Sequence, residues 1–452
     1  MKTIFITSFE GLETKNLLRT TILPTLLRDP DVRIMLFAHD EERVRYHQKE
    51  FGNDRISYIV VPKPVIRGLD RLFQKMKFTL LKTKTTDIRR KMKYQLEKNA
   101  LWYFATRAIN RLVAHRPGRM IFRFLDYHLI SYHDYDSYLD QCQPSAVVLA
   151  NLFDEPEVHF LRAAKKRGIT TIGFINSWDK VTARCILRLL PDKIVVFNST
   201  VKKEVIRYNH ARPEDIFVGG MPQYDHYVTR SVISRDAFFK KIGLSLNVKL
   251  MVYVPIGNVY GDSDWPMIDF LHALNQEGKF GKNVEMLVRF PPNDTVDPNK
   301  LLQRPWLHYD HPGLRFSHER GGDWDMGTED LAHLGDTLAH MSLLIGYASS
   351  IAIDAAFFDK PIISINFEVQ KNLHPAKSPT TYQHMIHSET LRKPGGMHFV
   401  QNEQEMVEWV KKYLHDPSLD REGRKRLVRE QCVYTDGKSG ERIGNYILGL
   451  IA

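Results

Sequence analysis

The chain has 452 residues, which at roughly 150 residues per domain is enough for two or three domains and excludes a peptide or a disulfide-stapled module. Hydrophobic residues make up 43% of the chain and charged residues 26%, as in soluble globular proteins. The three cysteines are widely separated and match neither a disulfide framework nor a zinc site. We therefore expect a multidomain cytoplasmic protein with reduced thiols.

The amino-terminal half alternates strand-like runs with helical patterns. The runs are KTIFITS, VRIMLFAH, ISYIVVP, SAVVLAN, TTIGFIN and DKIVVFNS. This alternation predicts a doubly wound parallel sheet in an α/β domain. Charged residues follow the first apolar run almost at once, so we do not expect a signal peptide. The longest weakly charged run, residues 342–358, is shorter than the roughly 20 residues of a membrane-spanning helix.

A basic insertion interrupts this half over residues 63–123, with 17 basic and 3 acidic residues against 47 and 50 in the rest of the chain. Its apolar residues recur at helical spacing and predict two amphipathic helices, the second over residues 88–112. The helices could pack on their own domain with solvated cations. Alternatively, Arg67, Arg71 and Lys75 could face an anionic membrane surface. We expect no nucleic-acid partner, because no binding motif for one is recognisable.

The second half restarts the alternation after an aperiodic stretch near residue 230. Its runs are KLMVYVP, EMLVRFPP, LRFSH, SLLIGY and PIISINF, which predict a second doubly wound, Rossmann-like domain. The predicted domains are residues 1–230 and 231–452, and the helix after Gly440 could pack back on the first. Two such domains facing one another form a cleft lined by the loops at the carboxyl ends of their strands. We therefore expect the function to reside in those loops.

The most specific local motif is GYASSIAIDAAFF, in which Ser349 and Ser350 lie between a strand and a helix and Asp354 follows one turn later. Hydroxyls and free N–H groups at a helix start suit a phosphate, and the carboxylate can accept hydrogen bonds from ribose hydroxyls. Taken alone, the motif also fits an N-cap serine and a solvated aspartate.

Two further loops place charged residues after predicted strands. FINSWDKVTAR contains Asp179, which could act as a general base or simply stabilise a turn, and the adjacent Lys180. MLVRFPPND delivers Arg289 to a strand end, where it could bind a diphosphate or form a structural ion pair.

These residues resemble a known family. The SS-x3-D-x5-KP-x-I core, the runs PDKIVVFNSTVKKEVIRY and IFVGGMPQYDHY, and the closing YTDGKSGERIGNYI resemble the donor-binding region of bacterial GT-B enzymes. That group includes envelope glycosyltransferases and CDP-glycerol glycerophosphotransferases. The resemblance covers roughly residues 145–450 and implies an acceptor-side first domain and a nucleotide-donor-binding second domain.

The resemblance implies the following roles on the donor side. Ser349 and Ser350 hold the donor phosphates, Asp354 contacts the ribose, and Arg289 neutralises the leaving diphosphate, with Lys180 also on the binding side. Helix dipoles and arginine can stabilise that leaving group without a metal. Because no DxD-type metal signature is compelling, we expect a metal-independent reaction with no cofactor, the nucleotide-sugar being a substrate.

On the acceptor side, the resemblance makes Asp179 the base, and Glu10, Asp126 and Glu155 are further base candidates. Related enzymes commonly extend envelope polymers on lipid-linked acceptors. We therefore expect a cell-envelope glycan or a lipid-linked molecule as acceptor, and an enzyme peripheral to the inner membrane face.

Two departures from the glycerophosphotransferase pattern guide the choice of reaction. Asp179 and Pro291 stand where that family usually has histidines that would serve phosphoryl-group transfer. We therefore favour transfer of a sugar from a nucleotide-sugar. The alternatives are a CDP-glycerol-type glycerophosphotransferase, a sugar-nucleotide epimerase of the same fold, and a non-catalytic membrane-docking binding subunit.

Overall fold

A computed structural model describes residues 2–257, 263–316, 324–370 and 373–452. The chain divides into two compact units, each built around a parallel sheet, and this confirms the predicted α/β fold class. The first unit contains Met1–Arg90, Asn99–Thr229 and Cys432–Ala452, and the second contains Lys91–Lys98 and Arg230–Gln431.

The first unit has a seven-stranded sheet in the order β3-β2-β1-β4-β5-β6-β7. Its strands are β1 (Lys2–Thr7), β2 (Val32–Ala38), β3 (Ile56–Val60), β4 (Ala146–Leu149), β5 (Thr170–Phe174), β6 (Lys193–Val196) and β7 (Ile216–Val218). All neighbours pair in parallel. The strand order reverses between β1 and β4, and ligands of doubly wound sheets bind at such a switch point.

The helices up to residue 229 cover this sheet and form the basic insertion. They are α1 (Gly11–Glu13), followed by a π-helical segment (Thr14–Leu18), α2 (Ile22–Leu26), α3 (Glu41–Phe51), α4 (Gly68–Thr79), α5 (Lys84–Glu97), α6 (Ala100–Val113), α7 (Arg116–Leu129), α8 (Asp136–Cys142), α9 (Glu155–Lys166), α10 (Lys180–Ala183), α11 (Ser199–Asn209) and α12 (Asp225–Thr229).

The insertion differs from its prediction in two respects. The single helix expected over residues 88–112 is two helices, α5 and α6, because Lys98 adopts a left-handed conformation with φ of 54° that interrupts the helix. A further helix, α7, extends the helical region beyond the predicted end at residue 123.

The second unit has a six-stranded parallel sheet in the order β10-β9-β8-β13-β14-β15. The strands of this unit are β8 (Lys249–Val254), β9 (Val284–Arg289), β10 (His308–Asp310), β11 (Leu314–Arg315), β12 (Trp324–Asp325), β13 (Leu343–Gly346), β14 (Ile362–Ile365) and β15 (His398–Val400). The predicted strand LRFSH is wrong as a member of this sheet, because β11 pairs antiparallel with β12 instead. Its last two residues, Ser317 and His318, lie outside the described residues. The switch point of this sheet lies between β8 and β13.

The helices of the second unit are α13 (Arg235–Lys241), α14 (Asp264–Gln276), α15 (Pro298–Leu302), α16 (Thr328–His340), α17 (Ile351–Phe357), α18 (Ile386–Arg392), α19 (Glu403–His415) and α20 (Arg421–Gln431). Within the described residues, no helix has the length and apolar character needed to cross a membrane.

The final helix, α21 (Ser439–Leu450), belongs to the first unit and packs against α2. Two glycines make this close approach possible. A Cβ on Gly440 would lie 2.4 Å from Thr21 Oγ1, and one on Gly444 would lie 2.7 Å from Thr25 Cβ. Ile443 therefore reaches the core beneath the first sheet, where it is fully buried.

Candidate functional site

The serine motif lies at the switch point of the second sheet. Ser349 and Ser350 follow β13, and Ser350 is the exposed N-cap of α17, with no capping hydrogen bond from its side chain. Gly346, the last residue of β13, has no room for a side chain, since a Cβ would lie 2.9 Å from the carbonyl oxygen of Val254. Asp354 is only 6% exposed, so it is not a solvated helix residue. The motif thus combines accessible hydroxyls with a buried carboxylate.

Asp264 lies on the other side of this switch point and was missed by the sequence analysis. Its carboxylate accepts hydrogen bonds from the backbone N–H groups of Ile256 and Gly257, at 3.0 and 2.8 Å. Tyr253 Oη donates to the same carboxylate at 3.3 Å. Burial raises the pKa of Asp264 to about 6 despite these donors. Asp264 therefore fixes the backbone that leaves β8 beside the serine motif.

Arg289 ends β9, one strand beyond the switch point, and is held by a partly buried acidic partner. Its Nη1 donates to Asp310 Oδ2 at 3.0 Å, and His333 Nε2 lies 3.0 Å from the same oxygen. Burial opposes the charge of Asp310, but the hydrogen bond from His333 and the charge of Arg289 lower the pKa of its carboxyl group. Arg289 Nη2 is buried and has no hydrogen-bond partner within the described residues. The ion pair thus orients the arginine.

A cavity of about 440 Å³ lies at the amino ends of the strands of this sheet, and the residues that line it include Lys249, Ser342 and Pro361. These residues begin or directly precede β8, β13 and β14. Ligands of parallel sheets bind beyond the carboxyl ends of the strands, so this cavity at their amino ends is not where a ligand of the sheet is expected.

Glu10 lies at the switch point of the first sheet, directly after β1. Glu10, Glu13 and Asp154 each bring one carboxylate oxygen within 4.8 Å of the others, and Asp154 follows the neighbouring strand β4. Burial, and then the charge of Asp154, raise the pKa of Glu10, although Lys180 and other nearby cations act in the opposite direction. Of the base candidates, Glu10 and Glu155 follow the two strands that border the switch point, β1 and β4.

Asp179 and Lys180 lie one strand further along, after β5. Asp179 accepts a hydrogen bond from Ser177 Oγ, and Lys180 Nζ donates to Asn151 Oδ1 at 3.2 Å. Glu204 on α11 was missed by the sequence analysis, and burial together with the charge of Asp179 raises its pKa to about 8. Two interacting carboxyl groups therefore border this loop, and Glu204 holds its proton at neutral pH.

Asp126 and Glu155 lie in a buried charge network, which removes them from the base candidates. Arg188 donates to both oxygens of Asp126 at 2.7 and 2.8 Å, and Arg162 adds a bond of 2.8 Å. Glu155 contacts Arg188 and Lys77. Because both carboxylates are paired with fixed cations and buried, neither is accessible to the hydroxyl of an acceptor molecule. Both residues instead join the helical insertion to the sheet.

The described residues contain two groups with the spacing of metal ligands. Asp70, Glu155 and His159 form one, but Arg188 already pairs with both carboxylates. The other is the Glu10 group, in which Arg184 pairs with Asp154 and the backbone N–H groups of Phe9 and Glu10 donate to Glu13. Protein donors thus occupy oxygens in both groups, and we assign no metal to either.

Arg67, Arg71 and Lys75, the residues expected to face a membrane, are all exposed around α4. Phe73 and Lys77 of the same helix are buried. The helix therefore presents its cations outward, whereas Lys77 Nζ points inward and donates to the carbonyl oxygen of Phe153 at 2.7 Å.

Comparison with known proteins identifies one family. The sequence model described as CDP-Glycerol:Poly(glycerophosphate) glycerophosphotransferase matches residues 190–449, more than half of the chain. No curated protein sequence matches the chain.

Solved structures similar to this chain include a UDP-GlcNAc 2-epimerase from Neisseria meningitidis bound to UDP-GlcNAc, with a TM-score of 0.53, 9% identity and coverage of 99% of this chain and 100% of that one. A glycosyltransferase from Rickettsia africae gives a TM-score of 0.52, 10% identity and coverage of 100% and 98%. The wall teichoic acid polymerase TagF with CDPG gives a TM-score of 0.50 and 14% identity, with coverage of 100% of this chain and 88% of that one. At these identities the structures show a shared fold, which confirms the resemblance to GT-B enzymes.

Proposed function

Because this chain belongs to the CDP-glycerol:poly(glycerophosphate) glycerophosphotransferase family, and is therefore a transferase, we propose that it moves a sugar from a nucleotide-sugar to a cell-envelope glycan or a lipid-linked acceptor. The observation that carries the proposal is the set of groups at the switch point of the second sheet. The ligands of similar structures support it, since these structures include complexes with UDP-GlcNAc and with CDPG.

In the proposed donor site, Ser349 and Ser350 bind the phosphates and Asp354 contacts the ribose. Arg289 lies two strands from the serines, with β8 between, which corresponds to roughly 10 Å at the usual strand spacing. Its Nη2, which has no hydrogen-bond partner in the part of the chain that the structure describes, is the group that would neutralise the departing diphosphate. Lys180 belongs to the first unit, and we assign it to substrate binding there.

In the proposed reaction, a carboxylate of the first unit takes the proton of the acceptor hydroxyl. The acceptor oxygen then bonds to the anomeric carbon, and the bond between that carbon and the diphosphate oxygen breaks, with its electron pair leaving on the diphosphate. Asp179 and Glu10 are the candidate bases, and the switch point favours Glu10.

The second candidate is transfer of a glycerophosphate unit from CDP-glycerol, which the matched family model favours. Against it stand Asp179 and Pro291, because neither can act as the imidazole acid or base that the family usually has at these positions. A lipid-linked acceptor would place either enzyme on the inner membrane face as a peripheral protein.

Thermal unfolding in the presence of nucleotides tests the donor site. We expect one of CMP, CDP, UDP, GDP and dTDP to raise the unfolding midpoint of the wild-type protein, because a ligand that binds only the folded state stabilises it. Asp354→Ala should abolish that shift, whereas the matched substitution of an exposed aspartate, Asp236→Ala, should retain it. If no nucleotide shifts the midpoint at millimolar concentration, the donor site is wrong and a non-catalytic binding subunit is favoured.

Turnover then separates the two reactions. Release of the nucleotide from a nucleotide-sugar, dependent on added acceptor, supports sugar transfer. Turnover of CDP-glycerol, and of no nucleotide-sugar, would establish the second candidate. Isomerisation of the sugar without any acceptor would identify an epimerase instead.

A further inference from the structure

His39 lies at the carboxyl end of β2, beside the segment that carries Glu10. β1 and β2 pair in parallel as far as Phe37, whose carbonyl oxygen accepts a hydrogen bond from the backbone N–H of Ser8 at 2.9 Å. One residue further along each chain segment, the rings of Phe9 and His39 stack, with their centroids 4.0 Å apart and their planes 11° from parallel. The imidazole therefore lies one strand from the switch point of the first sheet, against the residue that precedes Glu10.

The fold uses only one ring nitrogen of His39. Nδ1 lies 3.0 Å from the carbonyl oxygen of Val61. A carbonyl oxygen can only accept a hydrogen bond, so Nδ1 carries the hydrogen and donates it. In a neutral imidazole the other nitrogen, Nε2, then has a lone pair and no hydrogen. This hydrogen bond fixes the tautomer, and the stack with Phe9 fixes the plane of the ring.

The surroundings of His39 keep the imidazole neutral at pH 7. Burial lowers the pKa of His39 below its ordinary value of 6.5, and the nearby cations Lys63 and Arg43 act in the same direction. The hydrogen bond to Val61 and the charge of Asp40 act in the opposite direction without cancelling the effect. Nε2 is therefore a hydrogen-bond acceptor at neutral pH.

Nε2 is left for a partner outside the described chain. The His39 side chain is partly exposed, and no residue that the structure describes donates a hydrogen bond to Nε2. Ligand sites carry a small number of polar groups whose orientation is fixed and which set specificity. An oriented acceptor at the carboxyl edge of the sheet has these properties, and it suits the hydrogen of a ligand hydroxyl.

We propose that His39 Nε2 binds the acceptor molecule by accepting a hydrogen bond from a hydroxyl that neighbours the reacting one. Glu10, on the adjacent strand end, would take the proton of the reacting hydroxyl itself. The acceptor would then be a sugar or another polyol with hydroxyls on neighbouring carbons. A site that hydrogen-bonds a substrate hydroxyl discriminates strongly against analogues that lack it, so His39 would determine acceptor specificity.

This inference deepens the proposed function and rests on it for the identity of the acceptor. Binding of a hydroxyl at Nε2, however, needs neither a nucleotide nor turnover. The two proposals can therefore fail separately.

The first measurement is nitrogen NMR of the full-length protein labelled at its histidine rings, with the His39 signals assigned by their absence from His39→Asn. At pH 7 we expect Nδ1 to be protonated and Nε2 to be unprotonated. Methyl α-glucoside, a probe with neighbouring hydroxyls, should shift the His39 signals saturably. Its fully O-methylated ether has no hydroxyl hydrogen to donate and should not. A protonated Nε2, or equal behaviour of the two probes, would overturn the proposal.

Two substitutions then separate the proposed contact from the structural hydrogen bond. In His39→Asn the side-chain amide can still donate to Val61, but nothing replaces Nε2, whereas the longer side chain of His39→Gln brings an amide oxygen near the Nε2 position. We expect His39→Asn to raise KM for the acceptor about fivefold in the turnover assay, the equivalent of one neutral hydrogen bond, with KM for the nucleotide donor unchanged. His39→Gln should restore most of this loss.

The matched control is His415→Asn, at an exposed position of the second unit, which should leave both KM values unchanged. An unfolding midpoint equal to that of the wild type shows that each variant retains the fold. An unchanged acceptor KM in His39→Asn would overturn the proposal and leave the proposed transfer intact. A protein that binds no nucleotide, but whose His39 signals respond to the glucoside, would lose the proposed transfer and keep the hydroxyl-binding site.

Discussion

Glu10 and Asp154 lie at the carboxyl ends of two neighbouring strands, β1 and β4, and bring carboxylate oxygens within 4.8 Å of one another where the strand order of the first sheet reverses. The burial of Glu10, and then its repulsion by Asp154, raise the pKa of the Glu10 carboxyl group. A carboxylate with a raised pKa is a stronger base than an exposed one, which suits proton abstraction from a hydroxyl.

We predict that Glu10→Gln lowers kcat by about 100-fold or more, the usual contribution of a general base. A base must be deprotonated to act, so wild-type kcat/KM should fall on acidification, at a pH above the ordinary glutamate range because the pKa of Glu10 is raised. The measurement is a pH profile of donor turnover for both proteins. In the variant, kcat/KM should not show this fall on acidification, which we call the acidic limb.

Two substitutions serve as comparisons for this result. Glu42→Gln, at an exposed position of α3, should behave like the wild type. If Asp179→Asn instead removes turnover and the acidic limb while nucleotide affinity is retained, Asp179 is the base and Glu10 is not.

The sequence was sufficient for most strands of the two sheets and for placing the serine motif between a strand and a helix. Long apolar runs such as those of β1 and β4 are typical of strands buried on both faces, and Ser349 with Ser350 follows such a run directly. A short strand such as β10 carries too few residues for a periodic signal, and its Asp310 was accordingly not recognised as the partner of Arg289.

The base candidates show where single-sequence reasoning ends. Asp126 and Glu155 have the residue type of a base, but Arg188 neutralises both, and Asp126 is separated from it by 62 positions in the chain. No local pattern reveals such a pairing. Asp264 was missed for a related reason, since no local pattern shows that its carboxylate accepts hydrogen bonds from the backbone of Ile256 and Gly257.

The Arg289–Asp310 ion pair gives a second prediction. Asp310→Asn removes the negative charge that orients Arg289 and accepts a hydrogen bond from His333. Donor binding should therefore weaken about tenfold, which is the equivalent of one hydrogen bond to a charged group. The measurement is the dissociation constant of the stabilising nucleotide by calorimetry. The matched control is Asp269→Asn, which breaks an exposed pair with Arg304 in the same unit and should leave the constant unchanged. Equal affinities in all three proteins would remove Arg289 from the donor site.

The buried charge network around Asp126 gives a third prediction. Asp126→Asn leaves Arg162 and Arg188 without a full counter-charge in a buried site, and breaking such a pair costs about 3–5 kcal/mol. We expect a large fall in the denaturant midpoint of the full-length protein. The exposed Asp54→Asn should leave the midpoint unchanged. A small effect would mean that the network does not anchor the insertion.

Metal removal tests the expected metal independence. If helix dipoles and Arg289 suffice to stabilise the leaving diphosphate, extensive dialysis against EDTA should leave donor turnover unchanged. Loss of activity that Mg²⁺ or Mn²⁺ restores would overturn this expectation. In that case Glu10→Gln should also weaken the metal dependence, because Glu10 belongs to one of the two described groups with ligand spacing.

Glu157 supplies a prediction about stability. It lies fully buried on α9, where Thr7 Oγ1 donates to its Oε1 at 2.6 Å, while Oε2 has no hydrogen-bond partner within the described residues. Burial raises the pKa of its carboxyl group to about 8 from an ordinary value of 4.5. Between these two values the folded protein holds a proton that the unfolded chain releases. The contribution of Glu157 to the free energy of unfolding is therefore most favourable below pH 4.5, and this advantage is lost as the pH rises through 8.

The free energy of unfolding should consequently decline by up to about 1.4 kcal/mol for each pH unit across this interval on account of Glu157. Glu157→Gln cannot ionise and should flatten the decline, which denaturant titrations at pH 6, 7 and 8 would measure. The exposed Glu42→Gln should keep the wild-type slope. An identical slope in Glu157→Gln would mean that Glu157 is ionised in the folded protein, and that the cations near it, such as Lys180, compensate for its burial.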